Sequence, residues 1–231
     1  MALQFLNLTN KVLVRLNEVP LTEAGFASAT GFYSDAQNAV NLALKDVNTQ
    51  QYEWPFNHQY ATQQLVRGTQ IYALPLDTHS VDWDTFYIAR DDGQNIEARH
   101  LSYMDYDRWA SIWRDIDFAS DELAWTVPTN VFPTQGLEFG VSGVPGKDMT
   151  CKFEYWKVPA DLQAYNDVAT VPDAFEHVLI NGAMFYAYLF RENIESAALM
   201  EKLFRDGIEN MRRILVPQPS RVSDTRAFRR R

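Results

Sequence analysis

The chain has 231 residues, with 21 basic against 30 acidic side chains, a net charge of −9, and 46% hydrophobic and 13% aromatic residues. That is enough to bury a sizeable core, and an acidic body repels nucleic acid. The one cysteine, Cys151, excludes an internal disulfide and fits synthesis in a cytoplasm; no stretch reaches the roughly 20 apolar residues that span a membrane, and the opening MALQFLNLTNK lacks the layout of a signal peptide.

Residues 3–18 read as a first helix, with Phe5, Leu8, Val12, Leu16 and Val19 at helical spacing and Pro20 as the stop. A loop with Gly25 and Gly31 follows. Ser34-Asp35-Ala36-Gln37 resembles a capping box. Behind it Ala36, Val40, Ala43 and Val47 mark one face of a second helix, running to about Gln51 and closed by Trp54-Pro55.

From Phe56 to Val158 the pattern turns to strands: 57–66, 69–74, 81–89, 95–102, 136–142 and 149–158. Arg67-Gly68, Asp92-Gly93 and Gly143–Gly146 punctuate them, and Asp92-Gly93 is a hairpin signal. In the last strand Cys151, Phe153 and Tyr155 alternate with Lys152, Glu154 and Trp156, which predicts one buried and one wetter face. Residues 104–114 suggest a short helix and 115–135 a long loop.

Val171-Pro172-Asp173 opens a third long helix, carrying Phe175, Val178, Gly182, Phe185 and Leu189. Asn193 breaks it or begins the next, where Ala197, Met200, Phe204, Ile208, Met211 and Leu215 form an apolar stripe. Pro217 and Pro219 end that helix. Pro217–Arg231 then carries five arginines against one aspartate, leaving the rest of the chain more acidic still. The predicted fold class is α+β. Residues 1–55 and 161–216 supply the N- and C-terminal helices of one bundle, 56–160 form an inserted antiparallel β-rich module, and 217–231 form an extended basic C-terminal arm.

A search for chemistry finds little. His58, His79, His100 and His177 are scattered, outside any paired-ligand spacing. Cys151 sits among buried-looking strand residues with no base beside it. Asp82-Trp83-Asp84, Asp105-Tyr106-Asp107 and Asp115-Ile116-Asp117 place two carboxylates on one face if they lie on strands, but an acidic chain produces such pairs by composition. Trp109, Trp113, Trp125, Tyr155 and Trp156 suggest a stacking platform for sugars; base stacking would want interleaved cations, and the neighbours here are acidic. No catalytic residue, metal site or cofactor is expected.

Four stretches in this order and spacing resemble the head-to-tail adaptors of tailed bacteriophages, including the tail tubular protein A type. They are Ser34–Leu44 with Tyr52–Phe56, Gln70–Pro75, Phe153–Pro159, and Val171–His177. The resemblance covers most of 1–216, with none of these four stretches in 104–135. It implies a structural virion protein at the head-tail junction, made in the host cytoplasm. Its partners would be a portal protein, a tail nozzle protein and further copies of itself in a ring, usually of twelve. Double-stranded DNA would pass through the channel without specific binding, and no membrane is involved.

For the ring, Glu192, Glu195, Glu201, Arg205 and Arg212 on the outward faces of the last two helices are the expected subunit contacts. For the portal, the arm offers Arg221, Arg226, Arg229, Arg230 and Arg231 for forked bonds to carboxylates and Phe228 as an apolar anchor. Two rival readings remain open on the sequence: a glycan-binding or wall-degrading tail component using the aromatic module with Asp82 and Asp84, and a DNA-binding protein using the arm.

Overall fold

The computed structural model describes residues 3–51, 53–93, 95–114 and 125–216. It divides into two compact units, the described parts of Met1–Pro55 with Asp161–Arg231, and Phe56–Ala160.

The first unit is helical: α1 (Phe5–Arg15), α2 (Glu23–Phe26), α3 (Phe32–Gln50), α5 (Glu176–Phe190) and α6 (Ile194–Leu215). α5 is the centre and packs on both α3 and α6, with α1 against α3 and α5. It is therefore apolar on several sides, burying Val178, Leu179, Ile180, Ala183, Met184 and Ala187. Gly182 marks the closest approach. A Cβ there would lie 2.6 Å from Phe204 of α6 and 2.9 Å from Ala43 of α3.

The ends of these helices differ from the pattern-based expectation. α1 stops at Arg15, before Pro20 acts. Asn17 takes a φ of 57°, and Glu18 N–H donates to Leu13 O while Asn17 N–H donates to Val14 O. This is a Schellman end, satisfying the last carbonyls. α3 begins at Phe32 with Gly31 as its cap, so the expected capping box at Ser34 lies inside the helix. Gln37 instead donates to Phe26 O, tying α3 to α2, a short helix where the sequence pattern predicts a loop. Trp54 folds back under α3, fully buried, with its indole N–H on Val47 O.

Two asparagines staple the connections. Asn10 exchanges hydrogen bonds with both backbone groups of Leu21, and Asn41 does the same with Leu162. The free N–H groups at the start of α1 go to Asp167 O and Tyr165 O.

The second unit is a sandwich of two four-stranded sheets. Its elements are β1 (His58–Leu65), β2 (Ile71–Ala73), β3 (Thr78–Ile88), β4 (Arg99–His100), β5 (Ser102–Tyr103), α4 (Tyr106–Ile112), β6 (Asn130–Pro133), β7 (Glu138–Ser142) and β8 (Met149–Lys157). One sheet has the order β1-β8-β3-β4, the other β2-β7-β6-β5. Pairing is antiparallel except β5 with β6, which is parallel. Both sheets share a core in which Phe86 and Phe153 stack at 4.5 Å and Phe139 meets them edge-on.

The strand expected over 95–102 is two pieces. At Leu101 the chain leaves the first sheet for the second. β6 lies where a loop was expected; its four residues, Asn130-Val131-Phe132-Pro133, are too few for alternation to show. A small second core forms outside the sandwich, where Trp109 of α4 stacks at 4.3 Å on Phe132. Phe132 in turn covers Gly140, where an added Cβ would lie 2.2 Å from its ring.

Candidate partner-binding surfaces

Several of the groups that the sequence singles out for chemistry make local contacts within the sandwich. Asp82 Oδ1 accepts from Asp84 N–H, at an irregularity in the β3–β8 pairing. Thr85 stitches that gap: its hydroxyl donates to Asp82 O and accepts from Glu154 N–H. Cys151 faces the core, where burial pushes its thiol up to about 12, the opposite of nucleophile activation. His58 pairs with Glu154 at 2.9 Å, and His100 sits on Asp84 O. Among the described residues no three His, Cys, Asp or Glu side chains gather as a metal site.

The aromatics do not make one platform. Trp109 and Tyr155 are buried, Trp125 lies under the Arg67 guanidinium at 5.4 Å, and Trp156 leans on the His58 ring. A groove of about 750 Å³ runs between α1 and α5 in the helical unit. The Lys11–Glu176 ion pair lines it, with apolar Leu3, Val14 and Ile180, and it holds no nucleophile or histidine.

The expected subunit contacts are distributed unequally. Glu192 occupies the turn between α5 and α6 with a φ of 57°. Its N–H donates to Leu189 O and that of Asn193 to Tyr188 O, a second Schellman end, so its first role is in the backbone. Asn193 then caps α6 by accepting from Ser196 N–H. Glu195 is exposed in the first turn of α6, where its charge suits the helix dipole. Glu201 and Arg205 are already joined at 2.6 Å as an i,i+4 pair within α6. Arg212 lies on the same flank, at i+11 from Glu201, exposed and without an ion-pair partner among the described residues. The arm residues Arg221, Arg226, Phe228, Arg229, Arg230 and Arg231 lie outside the described residues, as does the carboxylate pair Asp115 and Asp117.

One surface escaped the sequence reading. On the other side of the core-facing stripe of α6, Leu199, Leu203 and Ile214 are 58%, 44% and 63% exposed. They recur at i, i+4 and i+15, with uncharged Ser196, Gly207 and Asn210 on the same strip of the helix. Leu189, Phe190 and Ile194 expose more apolar surface around the preceding turn. Three residues at these spacings carry no period of their own beside the stronger buried one.

The fold is thus a helical unit with unlike exposed flanks on its last helix and a β-sandwich inserted in its chain. The SU10 adaptor protein family matches residues 3–230, nearly the whole chain, and the protein belongs to it. This is a family of phage head-to-tail adaptors, so the protein is a structural component of a bacteriophage virion. No curated protein matches the chain in sequence.

Proposed function

We propose that the protein forms a ring, of twelve copies, between the portal and the tail nozzle, and extends the DNA channel without catalysing a reaction. The observation that carries this is the two-sided character of α6. A closed ring repeats one head-to-tail interface, which needs two different patches on each subunit. α6 presents an uncharged stripe through Leu199, Leu203 and Ile214 on one side and the flank of Glu201, Arg205 and Arg212 on the other. Burial of the leucines supplies affinity, and the charges supply register. The net charge of −9 suits a wall that passing phosphates do not stick to. The basic arm, through Arg221, Arg226, Phe228 and Arg229–Arg231, docks on the portal.

The test is Leu203→Glu, mixed with portal rings and weighed by native mass spectrometry. The exposed site leaves the monomer folded, and the expected result is loss of the ring. A ring of unchanged mass and yield would remove α6 from the interface, and virion images with one copy per vertex would remove the ring altogether.

A further inference from the structure

Among the described residues the sandwich has four strand edges. Three of them, β2, β4 and β5, are two or three residues long. The fourth is β1, eight residues in unbroken register with β8 from His58↔Trp156 to Leu65↔Met149. β8 reveals which backbone groups of β1 are free. Glu154 N–H donates to Thr85 of β3, and Thr150 O accepts from Ala89 N–H, so the even-numbered residues of β8 address β3 and the odd-numbered ones address β1. Their partners Gln59, Ala61, Gln63 and Leu65 therefore bond to β8. His58, Tyr60, Thr62 and Gln64 aim their N–H and C=O groups the other way. Among the described residues these groups meet no other strand, and Gln64 O takes only the side-chain amide of Gln63.

Natural sheets blunt such edges with charge, proline, a bulge or shortness. β1 has none of these. No Asp, Glu, Lys, Arg or Pro stands between His58 and Leu65, in a chain that is 22% charged. Tyr60 is 79% exposed.

We propose that the free edge of β1 receives an extended segment of a different protein of the virion, which adds a fifth strand to this sheet. Among the described residues, a sister copy offers no fitting edge. In a head-to-tail ring, β1 would need an unlike edge of matching length, and the other described edges are two or three residues long. β1 against β1 closes a two-fold pair instead. That exclusion rests on the ring reading. The area sets a second condition on the occupant. Eight strand residues span about 27 Å, and a strip one strand wide over that length falls well short of the roughly 800 Å² per partner that holds a stable complex. The occupant is therefore a segment of a chain already held in the particle by other contacts. Its chemistry is proline-free and extended, with uncharged side chains where it lies beside Gln59, Ala61 and Gln63.

Residue-resolved hydrogen exchange, compared between the isolated chain and assembled virions, tests this. The amides of Tyr60, Thr62 and Gln64 should exchange freely in the isolated chain and at least tenfold more slowly in virions, with those of Ala61 and Gln63 protected in both. A benzophenone side chain at position 60 should cross-link to another virion protein. Thr62→Pro removes one outward N–H and leaves the β8 ladder intact, so it should abolish that cross-link, and Thr62→Ser should keep it. The proposal is overturned if these amides stay fast in virions, if the cross-link joins two copies of this chain, or if Thr62→Pro particles cross-link as before. Should Thr62→Pro not fold, the wild-type exchange pattern still decides. Failure of the ring is read separately, from Leu203→Glu.

Discussion

Gly182 is where three helices meet, and replacing it with alanine tests the packing on which the α6 surfaces depend. An alanine in a helix interior gains about 1 kcal/mol over glycine. Against this, the new methyl would lie 2.6 and 2.8 Å from Cε2 and Cζ of Phe204 and 2.9 Å from Cβ of Ala43. Carbon atoms prefer about 3.5–4.0 Å, so the intrusion is close to 1 Å on two sides. The Phe204 ring can tilt, but the Ala43 Cβ moves only with α3. Overpacking of this kind costs about 1–3 kcal/mol, and with two helices displaced the upper half applies. The net expectation is a loss of about 1–2 kcal/mol, read from urea unfolding followed by helical circular dichroism. Adding Phe204→Leu removes the two ring atoms that clash, so the double mutant should recover about 1 kcal/mol relative to the sum of the single changes. A stabilisation of about 1 kcal/mol by Gly182→Ala alone, as at an exposed helical glycine, would show that α3, α5 and α6 do not meet as described.

Glu192→Gly should stabilise the helical unit by about 0.5–1 kcal/mol, because glycine takes the left-handed conformation there without Cβ strain; urea unfolding measures it, and unchanged ring assembly would separate the backbone role of Glu192 from an interface role. Burial pushes Cys151 and Tyr72 up to about 12, so the folded protein keeps protons that the unfolded chain releases from about pH 9 upward; stability should fall with rising pH from about 9 to about 12, and Cys151→Ala should flatten that slope. Ending the chain at Val216 should abolish binding to portal rings at both low and high salt, and undiminished assembly would show that the arm is not the docking element. No clearing of peptidoglycan or polysaccharide is expected in a zymogram, and a zone lost with Asp82→Asn or Asp84→Asn would overturn the non-catalytic reading.

The helices were legible because their buried faces repeat. Val40, Ala43 and Val47 on α3 and Ala197, Phe204, Ile208 and Met211 on α6 are buried, at the spacing read from the sequence. The helix ends were less so. Pro20 and Ser34 look like signals by residue type, but Asn17 and Gly31 set the boundaries through positive φ, a property that an asparagine announces only weakly. In the sandwich β8 was read correctly because its faces alternate over nine residues. β4, β5 and β6 were blurred or missed because two to four residues carry no period, and their pairing depends on partners far along the chain.

The surfaces were harder still, and for a physical reason. Burial imposes a period; exposure does not, so an outward Leu199 reads as noise until α6 is known to have its core on another side. Charged residues mislead in the opposite direction. Glu201 and Arg205 look available in sequence and are joined to each other, while Arg212, at the same flank, keeps its charge free of any described ion pair. An exposed i,i+4 pair is worth only about 0.3–0.5 kcal/mol, so Arg205 can exchange Glu201 for a carboxylate of a neighbouring subunit at little cost. In the proposed ring, register would come from a re-pairing of Arg205 together with a new pairing of Arg212, and affinity from the leucines that no charge pattern pointed to. On that division, Arg212→Ala should loosen the alignment of the ring before it weakens the assembly, and Leu203→Glu should prevent assembly outright.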